Sequence, residues 1–206
     1  MPESAAQWHA RVTSVLASDG PREVPWTSWP TWPFLESEFT ARPLEPLGDE
    51  QPRRGAGGVE CEQCDRSDDP SYIFWRDELM MLGAPFEPTS LPFVAFLMPR
   101  RHCDLSDLTP DESARLGQLL VAVERAACEV LDIPRVQVFR FGDGAEHLHW
   151  WLQARPTGAN QLRGTFLSLW DDVLPAREAG ARLADLSAVA ARLVELAGGS
   201  VPDPPE

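Results

Sequence analysis

The stretch Gly142-Asp143-Gly144-Ala145-Glu146-His147-Leu148-His149-Trp150-Trp151-Leu152-Gln153-Ala154 reads as a tight glycine turn running into a strand over residues 146–154. Successive side chains of a strand point to opposite faces, so His147 and His149 share one face with Trp151 and Gln153. Two imidazoles so placed can divide two tasks. If His147 holds a metal, His149 stands beside it, free to react. A neutral imidazole can attack phosphorus and carry it as a covalent phosphohistidine. A hydrogen bond to its other ring nitrogen would set the tautomer.

The metal argument begins upstream, at Cys61-Glu62-Gln63-Cys64. Two thiolates spaced C-x-x-C on a turn bind one side of a tetrahedral zinc ion. The chain has four histidines, and His9 lies far from the rest. His102, His147 and His149 remain as candidates, and a set of Cys61, Cys64, His102 and His147 would be a Cys2His2 site, coordinatively closed and hence structural. Cys103 follows His102 directly and is a poorer ligand, because adjacent residues rarely bind one ion well. Cys128 falls on the apolar face of a helix and reads as core.

The other elements follow from periodicity and punctuation. Residues 72–76 and 78–83 look like a hairpin, and residues 93–98 form a short apolar run suited to a buried strand. Thr109-Pro110-Asp111-Glu112 opens a helix with a threonine cap, proline at the first position and acids in the first turn. That helix is predicted to reach about Leu131, with Leu116, Leu119, Leu120, Val123, Ala127 and Val130 on one face. Residues 135–141 alternate as a strand does, 164–169 are a weaker strand, and 183–197 are an amphipathic helix. From Gly198 a disordered tail is expected. At the front, residues 5–16 suggest a short helix. Trp26, Trp29 and Trp32, three apart among prolines, suggest a polyproline-like strap. Residues 43–58 read as a loop, with Arg53-Arg54 solvated on it. The implied organisation is 1–58 as helix and strap, 59–175 as core domain, and 176–206 as C-terminal helix and tail.

Composition narrows the function classes. The net charge is −14, and all 18 cationic residues are arginine. Such a surface repels nucleic acid and anionic membranes, yet leaves room for a small phosphorylated ligand. No apolar run reaches membrane-spanning length, and the first 20 residues read as a helix, not a signal-peptide core. A cytoplasmic location is the expectation, with cysteines used as thiols or ligands before disulfides.

Together the segments between Glu60 and Pro156 resemble the histidine-triad superfamily, which includes nucleotide hydrolases, phosphoramidases and the galactose-1-phosphate uridylyltransferase branch. The shared features are the C-x-x-C opening and the hairpin. Pro99-Arg100-Arg101-His102 ends a strand, Asp107-Leu108-Thr109-Pro110 leads into a helix, and Ala154-Arg155-Pro156 closes the triad strand. The resemblance implies an α+β fold, with an antiparallel sheet and a long packed helix. It implies structural zinc on Cys61, Cys64, His102 and His147, with His149 as nucleophile toward a nucleotide phosphate. The third triad position, histidine in most members and glutamine in the transferase branch, is Trp151 here. Gln153, on the same face, is a substitute donor. Arg155 and Arg163 are candidate anion contacts, or salt-bridge partners of nearby acids. The family often forms homodimers.

Three functions are thus open. The chain is an enzyme attacking a nucleotide or phosphorylated metabolite through His149, a nucleotide-binding module that has lost catalysis, or an enzyme repurposed for a non-nucleotide substrate.

Overall fold

The computed structural model describes residues 46–85 and 87–202, with residues 10, 14, 17, 18, 29 and 31–34 before them. The chain divides into two compact units, residues 1–51 and 52–206.

In the first unit, the expected helix over residues 5–16 falls mostly outside the described residues; Ala10 and Ser14 within it are helical. Trp26 is likewise outside. Trp29 and Trp32 do not continue a ribbon: the Trp32 N–H donates to the Trp29 carbonyl at 2.9 Å, closing a turn. A polyproline ribbon leaves that amide to water. The Trp32 and Phe34 rings meet edge to face at 5.3 Å.

The second unit runs, in chain order, α1 (Glu62–Asp65), β1 (Ile73–Arg76), β2 (Met80–Gly83), β3 (Phe93–Pro99), α2 (Pro110–Val130), β4 (Gln137–Phe139), β5 (Trp150–Ala154), α3 (Leu167–Val173) and α4 (Ala179–Ala197). The strands form one sheet in the order β1-β2-β3-β5-β4, and every neighbouring pair is antiparallel. This is the α+β architecture expected from the sequence.

Alternation sorts the sheet into two faces. Phe93, Ala95 and Leu97 of β3 and Leu152 and Ala154 of β5 join the core formed with α2 and α4. The opposite face carries Met81, Phe96 and Met98, with Trp151 packed against them. This is the pleat acting on adjacent residues: Trp150 belongs to the helix side and Trp151 to the other.

Helix α2 starts as its sequence dictates. Thr109 Oγ1 accepts from the Glu112 N–H at 3.2 Å, and Glu112 Oε2 accepts from the Thr109 N–H at 2.8 Å. This reciprocal capping satisfies two amides that the first turn would otherwise leave orphaned. Leu116, Leu119, Val123, Ala126 and Ala127 are buried, Leu120 is half-buried and Val130 is exposed. The α4 residues Leu186, Val189, Ala190 and Leu193 complete the same core.

Three expectations fail. Residues 164–169 are not a strand: a 3-10 turn, Gly164–Phe166, leads into α3. Asp171 on α3 explains the choice, because its carboxylate accepts from the Ser90 and Leu91 amides at 2.6 and 3.1 Å. The strand predicted over 146–154 begins only at Trp150. The amides before it are taken elsewhere, Glu146 N–H by the Arg54 carbonyl and Leu148 N–H by the Cys103 carbonyl, at 2.9 and 2.8 Å. Beyond Gly198 the chain is ordered through Pro202: Ser200 and Arg76 exchange backbone hydrogen bonds, and Trp75 Nε1 donates to the Gly198 carbonyl.

Candidate metal centre and adjoining cavity

Cys61 caps the short helix α1, and the Asp65 N–H returns to its carbonyl at 3.0 Å. That tight loop brings Cys61 and Cys64 to one side. His102 follows β3, and His147 lies three residues before β5. Because β3 and β5 pair, their ends deliver the two imidazoles to the same place.

The four ligand atoms of Cys61, Cys64, His102 and His147 all lie within 4.8 Å of one another. His147 Nδ1 is 3.5 Å from Cys61 Sγ and 3.4 Å from Cys64 Sγ, and His102 Nδ1 is 3.6 Å from Cys64 Sγ. Tetrahedral zinc with bonds near 2.3 Å to sulfur and 2.0–2.1 Å to nitrogen requires a sulfur–nitrogen separation of about 3.6 Å. The cluster fits a metal ion of that size.

The far side of each ring is also committed. His147 Nε2 is 2.9 Å from the Pro99 carbonyl, and His102 Nε2 is 3.2 Å from Glu146 Oε1. Both acceptors select the tautomer with hydrogen on Nε2, which leaves the Nδ1 lone pairs for a cation. Burial pushes the His147 pKa down, keeping the ring neutral as a ligand must be. Burial, aided by the neighbouring Cys61 thiol, pushes Cys64 up to about 12. Ligating a divalent cation therefore releases a proton from Cys64.

The loop before Cys61, expected from the sequence to be solvated, packs against this centre. Arg53 is not merely solvated: its Nη1 reaches Asp104 at 2.6 Å and the Gly142 carbonyl at 3.2 Å, and its Nη2 lies 3.7 Å from Glu146. It therefore ties together the segments that follow His102 and precede His147. Asp104 is partly desolvated, which raises its pKa, but Arg53, the Leu105 amide and Arg140 hold it below the usual carboxylate range. The Gly57 amide, then His102, does the same for Glu146. Gly55, at φ 72°, passes so close to Cys61 that a Cβ would sit 3.2 Å from the Cys61 Cβ.

Beside the centre opens a cavity of about 550 Å³, lined among others by Arg54, Gln63, Phe96, His149 and Trp151. His149 Nδ1 is 2.9 Å from the His147 carbonyl, so Nδ1 carries the hydrogen and Nε2 keeps its lone pair. Phe96 meets the His149 ring edge to face at 5.6 Å. Trp151 is wedged between Phe96, at 4.5 Å, and Phe139, stacked at 6.0 Å. The Arg54 backbone pairs with Ala145, which sets its side chain on the cavity wall. Among the described residues it has no ion-pair partner.

The sequence candidates separate here. Cys61, Cys64, His102 and His147 come together, and His149 and Trp151 line the adjoining cavity. Gln153, Arg155 and Arg163 do not line it. Gln153 accepts from Ser168 Oγ at 3.0 Å, while Arg155 and Arg163 donate to the Pro156 and Asn160 carbonyls. Arg54 and Gln63 also line the cavity and were not among the sequence candidates. The Arg53-Arg54 pair was the one signal for the first, and nothing in the sequence marks the second.

Comparison with solved structures assigns the fold. A hypothetical histidine triad nucleotide-binding protein from Sulfolobus tokodaii strain 7 aligns with a TM-score of 0.52 and 16% identity, over 67% of this chain and 97% of that one. A uridylyltransferase mutant aligns with a TM-score of 0.50 and 18% identity, over 68% of this chain and 49% of that one. The chain has the histidine-triad fold. No family model and no curated protein matches it. Among the described residues no helix is long and apolar enough to cross a membrane.

Proposed function

We propose that this protein is a phosphoryl- or nucleotidyl-transferring enzyme in which His149 Nε2 attacks the phosphorus of a nucleotide or phosphorylated metabolite. The single observation that carries this is the Nδ1 contact of His149 to the His147 carbonyl, which leaves Nε2 without a partner among the described residues, beside a cavity large enough for a small ligand. The guanidinium of Arg54, without an ion-pair partner among the described residues, supports an anionic substrate, since it supplies local positive charge within an acidic chain. The Cys2His2 centre holds structural zinc in this reading. Its donors are all protein groups, and it braces the His147 backbone that orients His149.

The hydrogen on Nδ1 stabilises the positive charge that develops on His149 as the nitrogen–phosphorus bond forms. The carbonyl of His147 plays the orienting role that a carboxylate plays elsewhere. Phe96 and Trp151 wall the ring on its apolar side.

The test is transfer of label from α-phosphorus-labelled ADP, UDP, or the p-nitrophenyl ester of AMP to the protein. Acid-labile label on His149, absent in His149→Ala, supports the proposal; no label from any donor overturns it. Trp151 favours a second reading, a binding module, because it fills the third triad position with an aromatic wedge. Ligand-dependent thermal stabilisation by AMP or UMP without any label transfer would favour that reading.

A further inference from the structure

We propose that Gln63, within the cysteine knuckle, is the hydrogen-bond donor to the leaving group. The site is thereby confined to leaving groups that depart as weakly basic anions, phosphates above all. The inference rests on the phosphoryl-transfer reading and names its substrate class.

Gln63 is only 9% exposed and lines the same cavity as His149. Its carboxamide is oriented from behind. The Tyr72 hydroxyl, 2% exposed, donates to Gln63 Oε1. Burial raises the Tyr72 pKa, so the phenol keeps its hydrogen and must be the donor in that pair. The oxygen of Gln63 is thus used, and the amide NH2 has no acceptor among the described residues. On the wall of the cavity, that NH2 group can donate to an acceptor arriving with a ligand.

Among the described residues, the buried lining of the cavity offers no acid suited to protonating a leaving group. Cys61 and His147 belong to the metal cluster, and His149 is the nucleophile. Arg53 and Arg54 do not release protons at ordinary pH. Glu60, Glu62 and Glu87 stand on the exposed rim. A carboxamide donates a hydrogen bond but keeps its proton.

The step then balances without proton transfer. The Nε2 lone pair forms the nitrogen–phosphorus bond. The phosphorus–oxygen bond to the leaving group breaks, and its electron pair stays on the departing oxygen, which the Gln63 NH2 group receives. An acceptor hydroxyl or water next attacks phosphorus. The nitrogen–phosphorus pair returns to Nε2, and the acceptor's proton passes to solvent. An amine or alkoxide cannot leave easily this way, whereas a phosphate can.

The experiment measures the rate of His149 labelling with AMP esters of graded phenols, from p-nitrophenyl to phenyl, and with ADP and adenosine phosphoramidate. Gln63→Glu keeps an oxygen for Tyr72 and removes the donor. It is expected to slow the phenyl ester about 100-fold and the p-nitrophenyl ester about 5-fold or less, at unchanged metal content. Wild type is expected to prefer ADP over the phosphoramidate by at least about 10-fold. Equal losses across the phenols, no loss, or a leaving-group-dependent loss in Trp151→Phe instead would overturn the role of Gln63 and leave His149 as nucleophile. A wild type that prefers the phosphoramidate overturns the substrate class. Absence of label from every donor removes the function reading, and this inference with it.

Discussion

The ring of His149 hydrogen-bonds the backbone of His147, Nδ1 to carbonyl oxygen at 2.9 Å, while the ring of His147 sets its own Nδ1 against the sulfurs of Cys61 and Cys64. Two histidines separated by one leucine are thus coupled through a backbone atom and not through their side chains. Replacing His149 by Gln keeps a side chain that can donate to that carbonyl but removes the nucleophile. Labelling and turnover are expected to fall by about 1,000-fold or more, with folding unchanged by circular dichroism.

Glu146 links the candidate metal centre to the loop before it, accepting from the Gly57 amide at 2.9 Å and lying 3.2 Å from His102 Nε2. Outer partners of this kind fix ligand tautomers, and losing one typically weakens metal binding 10–100-fold, about the effect expected for Glu146→Gln. Competition with a chromophoric chelator measures it. Cys64→Ser should abolish tight binding altogether and lower Tm by about 10 °C or more, as removal of the metal with a strong chelator should in wild type.

Glu112 is held down from 4.5, its ordinary value, to about 2, chiefly by the Arg101 guanidinium and further by the Thr109 amide and hydroxyl. A carboxyl with a lowered folded pKa contributes its stability in full above the unfolded value. That contribution fades as pH falls from 4.5 toward about 2. Arg101 is 49% exposed, so solvent screens the pair and the contribution is small. Denaturant melts of Glu112→Gln should show that loss at neutral pH and a shallower decline than wild type in the acid range.

Gly199 has φ 80° and leaves no room for a side chain: a Cβ would stand 2.6 Å from Trp75 Cζ2 and 2.7 Å from the Arg76 carbonyl. Gly199→Ala should therefore strain the backbone and displace the Ser200–Arg76 pairing at once. A loss of about 2 kcal/mol or more in thermal unfolding is expected. Gly198→Ala, with nothing near its Cβ, serves as the comparison and should lose less.

Much of this molecule was legible in its residues because the signals are local or chemically exclusive. Thr109-Pro110-Asp111-Glu112 carries its capping within four residues, and α2 begins where that pattern says. Strands β1, β2 and β3 lie within one or two residues of their expected ends. With so few histidines, ligand chemistry narrowed the set to Cys61, Cys64 and three histidines, the family resemblance picked out His102 and His147, and the ends of β3 and β5 bring the four together.

Tertiary structure decided what depends on distant partners. Residues 164–169 carry an ambiguous pattern, and the Ser90 and Leu91 amides, some 80 residues away, are what Asp171 on α3 satisfies. Gly198 to Pro202 look like a polar tail until Trp75 and Arg76 supply acceptors and donors for them. Arg53 and Arg54 are indistinguishable as neighbours in sequence. Closure of the loop onto Asp104, Gly142 and Glu146 neutralises the first and leaves the second facing the cavity. Gln63 likewise is oriented only because Tyr72, nine residues on and buried, donates to its oxygen. Residue type and spacing determine which groups can serve as ligand, cap or nucleophile. Which way a charge or an amide finally points is set by partners that only the folded chain brings within reach.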